Sequence, residues 1–212
     1  MTDAARDLDQ TIVTEDAIII PRRRGVKTIE VDDELLEDIR ELARDKATAL
    51  LLNIITDIHA ADIAEILNRL DADQRQLVFD LLENERAGVV LLELDPSVRA
   101  ELLEALSSER ITAIVDQLAS DDAADLVSEL PPQVAEKVLR AMSTEDSSDV
   151  KELMRYGPET AGGIMGTEFV AVKRGSTVKQ AIKEVRTSAK NDMVIYTVYV
   201  VDDDGKLVGV LP

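Results

Sequence analysis

Asp71–Leu94 reads DADQRQLVFDLLENERAGVVLLEL, and it divides into two halves of twelve residues. Val78, Phe79 and Leu82 in the first half become Val90, Leu91 and Leu94 in the second. The same period runs outward in both directions. Leu70, Leu82, Leu94, Leu106, Leu118, Leu130 and Met142 recur every twelve residues, and the positions three and four places before each are apolar throughout. In a chain that is 45% hydrophobic, this regularity marks a structural repeat. Within one unit the apolar positions fall at i, i+1 and i+4, a single stripe along a helix. Twelve residues hold about two and a half turns of helix and a link, at about 3.6 residues per turn. Helices this short are marginal alone and stack to bury their stripes, so residues 58–142 are predicted to form an α-solenoid.

Helix starts are legible as well. Asp71, Asp95, Ser107 and Ser120 open successive units and are expected N-caps. Asp71 with Gln74 fits a capping box, and Pro96 and Pro132 suit first-turn positions, where a missing N–H costs little. A slower alternation overlies the repeat. In the series Ile63, Arg75, Ala87, Arg99, Ile111, Ala123, apolar and basic residues trade places, which predicts that two units make one helical hairpin. Upstream, a helix is expected to run through ELLEDIRELARDKATALLLNIITDI, capped by Asp32 or Asp33. AIIIPRRRGVKTIEV before it reads as a short strand or extended arm, with Arg22–Arg24 a solvated turn, and His59 reads as a cap or surface residue.

Downstream the texture changes. Ser143 or Thr144 is expected to cap a helix ending near Gly157-Pro158, and the junction ETAGGIMGTEFVAV (residues 159–172) follows. Gly162 and Gly163 are expected to use positive φ to turn the chain, with the apolar residues around them packing the joint. EFVAV then reads as a strand, TVKQAIKEVRTSA as an amphipathic helix, and IYTVYVVDDDGKLVGVLP as two strands about an Asp-Gly turn. Strand, helix, strand, strand exposes one sheet face and an edge that need a cover. The chain stops inside the last of these strands, so a piece of a longer protein is expected.

Composition narrows the function. A net charge of −19 argues against nucleic acid or anionic lipid as partner and points to cations. The repeat region alone carries 18 acidic against seven basic residues. Its densest point is ASDDAADLVSEL, where Asp121, Asp122 and Asp125 share one helix start and Asp121 and Asp125 lie on one face. Carboxylates so close repel, and a hard dication with oxygen ligands relieves the repulsion. Ordinary caps and solvated surface are the alternative for any single Asp. No cysteine and a single histidine exclude disulfides, thiolate sites and multi-histidine centres. No EF-hand loop, phosphate-binding loop or Gly-x-Ser-x-Gly elbow occurs, and nothing sets one carboxylate as acid and another as nucleophile, so no enzyme is expected. MTDAARDLDQ does not read as a signal peptide, and no apolar run of roughly 20 residues occurs in the sequence.

The junction ETAGGIMGTEFVAV resembles the segment entering the first cystathionine-β-synthase (CBS) module of MgtE-type magnesium transporters. YTVYVVDDDGKLVGVLP resembles the second and third strands of that module, and the acidic repeat resembles the same family's N-terminal helical superhelix. Gly166 departs from the pattern, which has threonine or serine there more often. The resemblance implies a mainly α fold: an arm over residues 1–34, an acidic superhelix over 35–142, a connecting helix and Gly-Gly hinge over 143–167, and a truncated α+β CBS module over 168–212. It implies the cytosolic regulatory region of a dimeric magnesium channel, at the cytoplasmic face of the membrane, with a second CBS module and a transmembrane pore beyond Pro212. Magnesium bound between the superhelix and the CBS pair would hold the closed state. On that reading Asp121, Asp122 and Asp125 are the first candidate ligands, and Asp95 and Asp71 weaker ones. Two other readings stand beside it: a solenoid and CBS scaffold that docks a protein, and an adenine-nucleotide sensor that binds ATP at a CBS pair.

Overall fold

A computed structural model describes residues 31–188 and 195–212. The arm expected over residues 1–34 therefore lies almost entirely outside the described residues. Ten helices come first: α1 (Asp33–Arg44), α2 (Thr48–Thr56), α3 (Ala60–Asn68), α4 (Ala72–Asp80), α5 (Asn84–Glu93), α6 (Pro96–Ala105), α7 (Ser108–Val115), α8 (Ser120–Ser128), α9 (Pro132–Ala141) and α10 (Thr144–Leu153). Then follow β1 (Val170–Lys173), α11 (Val178–Ser188), β2 (Val198–Val201) and β3 (Leu207–Leu211).

The repeat is what the spacing predicts. Leu70, Leu82, Leu94 and Leu130 are buried, as are Val78, Phe79, Val90, Leu91, Leu126 and Val127. One continuous core runs from Val31 to Leu153. Odd-numbered helices stack on one another, α3 on α5, α5 on α7 and α7 on α9, so the stacking unit is a pair of helices. Asp71 Oδ1 accepts from Gln74 N at 3.0 Å, Ser107 Oγ from Arg110 N at 3.2 Å, and Ser143 Oγ from Asp146 N at 3.1 Å. Asp95 holds the N-cap position of α6, with Pro96 in the first turn, but its side chain makes no capping bond. His59 caps α3, its Nδ1 accepting from Ala61 N.

Arginines stitch the pairs together at a spacing of 24 residues. Buried Arg75 donates to the carbonyls of Leu67 (3.0 Å) and Leu70 (2.9 Å) and reaches Glu101 on α6 (2.6 Å). Arg99 repeats the pattern with the Leu91 carbonyl (3.3 Å) and the Glu129 carboxylate (2.6 and 2.8 Å). Arg86 reaches back to the carbonyls of Thr56 and Ile58, and Arg110 to Leu82 and Asn84. Each guanidinium satisfies carbonyls left over at a helix C-terminus, groups that are costly to bury unpaired. The apolar–basic series is therefore a stacking device, and it lapses at Ala123, which is buried in α8.

One expectation fails upstream. The helix predicted through residues 34–58 breaks at Asp45–Ala47 into α1 and α2. Lys46 stands at φ 53°, Lys46 N donates to Ala43 O (3.1 Å) and Ala47 N to Leu42 O (2.9 Å). This is a Schellman end with lysine where glycine is usual. Packing decides it: α1 lies against α4 as well as α2, which a straight helix would prevent.

The C-terminal part is a three-stranded sheet of order β1-β2-β3, with β1 parallel to β2 and β2 antiparallel to β3. Val170 pairs with Val198 in the first ladder and Val198 with Leu211 in the second. Gly205 at φ 79° makes the hairpin, and Asp202 Oδ1 accepts from Asp204 N (3.0 Å) and Lys206 N (2.9 Å). α11 covers one face beside β1 but buries none of its own side chains.

Candidate functional site

α8 begins badly on its own terms. Its N-cap position is Ala119, which offers no side-chain acceptor, and Ser120, expected as the cap, is the first helical residue and is buried. The cap comes from elsewhere. Glu168, at the start of the C-terminal module, accepts from Ser120 N through Oε1 (2.8 Å) and from Ser120 Oγ through Oε2 (3.0 Å). Thr167 donates to the same hydroxyl from its N (3.0 Å) and its Oγ1 (2.9 Å). A serine hydroxyl has one proton and two lone pairs, and all are used here.

The first turn of α8 carries Asp121 and Asp122, both half-buried, and Asp125 follows exposed on the next turn. None of the three forms an ion pair among the described residues, where Arg75, Arg99 and Arg140 each have a carboxylate partner. Burial pushes the Asp122 carboxyl above its usual range, and Asp121, Asp125 and Glu168 push it further. Burial also raises Asp125, with Asp121 and Glu129 adding to it and Arg99 opposing. Asp122 and Asp125 line a cleft of about 450 Å³ together with Arg99, Glu129, Tyr156 and Gly163. On the other side of the α8 start, a cavity of about 80 Å³ is lined by Asp116, Asp146, Asp149 and Glu168. Asp116 is likewise raised by burial and by Asp146.

Hard oxygen donors suit magnesium, which binds through one or two carboxylates and keeps several waters. The donor chemistry fits, but no three carboxylates among the described residues are gathered into a ready cage. Of the sequence candidates, Asp121, Asp122 and Asp125 come together at one helix start. Asp71 is occupied in capping α4, Asp95 sits exposed at the start of α6, and neither lines the cleft. Sequence reasoning missed Glu168 and Arg99 as members of this neighbourhood. Glu168 is a lone acid in the apolar stretch GGIMGTEFVAV, the one signal that set it apart.

The junction differs from expectation in two respects. Gly162 and Gly163 have ordinary φ, since the only glycine with positive φ among the described residues is Gly205. They are needed for space: a Cβ on Gly162 would strike the Tyr156 ring, and one on Gly163 the Gly157 carbonyl. The neighbouring apolar residues do not pack the joint either. Ile164, Met165 and Phe169 are exposed, and the Phe169 ring meets Tyr199 edge-on at 5.9 Å. Hydrogen bonds on Ser120 make this contact instead.

Two family models match the chain: the MgtE intracellular N domain over residues 58–159 and the CBS domain over residues 161–212. The solved cytosolic domain of the Mg2+ channel MgtE in complex with ATP superposes with a TM-score of 0.73 at 31% identity, over 83% of this chain and 72% of that one. The chain belongs to the MgtE family. The soluble part of a magnesium transporter gives a TM-score of 0.66 at 26% identity, over 84% of this chain and 71% of that one. The magnesium transporter MgtE of Thermus thermophilus is 34% identical over 184 residues, covering 85% of this chain and 41% of that protein. MgtE of Enterococcus faecalis is 44% identical over 66 residues, 31% of this chain and 15% of that protein. The chain thus spans less than half the length of these MgtE transporters. Its mainly helical superhelix with a small C-terminal sheet is the fold of the MgtE cytosolic domain.

Proposed function

We propose that this chain is the magnesium-sensing cytosolic region of a magnesium transporter, lying at the cytoplasmic face of the membrane and gating a pore elsewhere in the full-length protein. The observation that carries the reading is the start of α8. Asp121, Asp122 and Asp125 crowd together without an ion pair among the described residues, and Glu168 of the adjoining module adds a fourth carboxylate to their repulsion. Asp121, Asp122 and Asp125 would hold the ion, with Asp95 and Asp71 as weaker outlying donors. A bound dication would supply positive charge between superhelix and CBS module, and the carboxylates would offer it hard oxygen donors. When magnesium is scarce, repulsion favours separation of the two parts.

A ligand shifts such an equilibrium only by its differential affinity for the two states. Moving from 1:99 to 99:1 takes about 5.5 kcal/mol, more than one water-rich site supplies, so several sites in a homodimer fit the task better. In this reading residues 35–142 are the sensing superhelix, 143–167 the connecting helix and hinge, and 168–212 the first part of a CBS module. A second CBS module covers the sheet, and the chain has no catalytic role. The support is the match to the cytosolic domain of the Mg2+ channel MgtE.

Protease protection of residues 143–167 across millimolar magnesium tests the sensor. Protection is expected to rise with magnesium, and Asp121→Ala combined with Asp122→Ala to move the midpoint to higher concentration. A flat curve for the unaltered chain overturns it. ATP is a second ligand to test, because the similar cytosolic domain is described in complex with ATP. Titration calorimetry with each ligand separates the readings: heat with ATP alone favours a nucleotide sensor, and heat with neither leaves a scaffold.

A further inference from the structure

An α-helix opens with N–H groups that have no partner inside the helix, and a side-chain oxygen normally satisfies one of them. α4, α7 and α10 obey this rule locally, through Asp71, Ser107 and Ser143. α8 does not, because Ala119 offers nothing, and its Ser120 N–H is satisfied from 48 residues further along the chain. We propose that Glu168 is an inter-domain positioning residue: by capping α8 from outside the superhelix, it holds the first strand of the CBS module against the sensing surface, with or without a metal ion.

Three observations carry this. First, the contact is complete. The Glu168 carboxylate takes both protons that Ser120 offers, at 2.8 and 3.0 Å, and Thr167 fills the remaining lone pairs of the buried hydroxyl at 3.0 and 2.9 Å. Second, the regular elements of the module add little to the joint. None of β1, β2, β3 or α11 packs extensively on a superhelix helix, and Ile164 and Met165 of the linker are exposed. A polar contact of this size between two folded parts can open without uncovering a core. Third, the residue before the pair keeps the space free. A Cβ on Gly166 would stand 3.1 Å from Glu168 Oε2, so glycine leaves the carboxylate room to reach α8.

Position gives the contact its consequence. Capping places Glu168 beside Asp122 and raises the carboxylate density of the first turn, so the closed joint is the state that most attracts positive charge. Opening the joint removes Glu168 from the cluster. The attraction of positive charge rests on the magnesium reading; the capping does not.

Amide hydrogen exchange of the 212-residue chain in buffer with a chelator tests it. The Ser120 N–H is protected in the unaltered protein, and Glu168→Ala is expected to raise its exchange about tenfold, the loss of one charge-assisted cap. The amides of Leu126 and Val127 deeper in α8 should stay unchanged. Glu168→Gln keeps the Oε1 acceptor and is expected to restore most of the protection. An unmoved Ser120 amide in Glu168→Ala overturns the proposal. So does a rise shared by the whole of α8, which would make Glu168 a support for folding rather than for position. Repeating the measurement with magnesium chloride alone added separates the two readings. Ser120 protection that exists only with magnesium overturns the metal-independent cap and leaves the sensor standing. Protection in chelator, together with a flat magnesium response, does the reverse.

Discussion

The superhelix and the CBS module are both built from elements that carry apolar side chains on one side, yet they end in opposite conditions. In the superhelix nearly every apolar stripe finds a cover, and Phe79, Ile63, Leu67 and Leu91 are fully buried. In the module, α11 buries no side chain, and Val178, Ile182, Leu207 and Val210 remain exposed. A stack of short helices covers each unit with its neighbours and is complete at almost any length. A three-stranded sheet with one helix is not, because one of its faces is left without a cover among the described residues. The difference separates the apolar surface that the described residues enclose from the apolar surface that they leave open.

Phe79→Ala should cost about 3–5 kcal/mol of superhelix stability in urea unfolding followed by circular dichroism, because it empties a fully enclosed site. A loss below 1 kcal/mol would mean that the stack can collapse around the void. Arg75→Ala should cost about 1–3 kcal/mol in the same assay, since it leaves the carbonyls of Leu67 and Leu70 buried without donors. Ile182→Ala should change stability by less than about 1 kcal/mol here, and by about 2–5 kcal/mol in a longer chain whose partner covers α11. Equal losses in both chains would end the idea of an incomplete module.

The smallest expected effect concerns charge. The folded-state pKa of Asp122 lies above its unfolded value, so the folded chain holds this proton more tightly. Stability from Asp122 is therefore present at acid pH and declines as pH rises from the ordinary carboxylate range through the raised value. Asp122→Asn should remove that slope and stabilise the neutral-pH protein by roughly 0.5 kcal/mol, the group being partly solvated. Unfolding midpoints against pH, with and without the substitution, check the sign.

Much of the molecule was legible in residue order. The twelve-residue period, the caps at Asp71, Ser107 and Ser143, the Asp-Gly hairpin and the order of the C-terminal elements are local patterns, and each is where the sequence puts it. The break at Lys46 was not, because lysine carries no turn signal and the packing of α1 on both α2 and α4 decides it. The joint was misread for a similar reason. Glycines suggested turning by positive φ, whereas crowding by Tyr156 and the Gly157 carbonyl explains them.

Sequence alone determined that this chain stacks short acidic helices and then begins a sheet, because helix periodicity and turn chemistry act over a few residues. It also determined that Asp121, Asp122 and Asp125 lie together, since one helix start holds all three. Only the tertiary structure decided that Glu168 reaches back to Ser120 and joins their company. A hydrogen bond between residues 48 apart has no local signature; it exists because α10 packs back on α8, so the segment after α10 returns Glu168 to the α8 start.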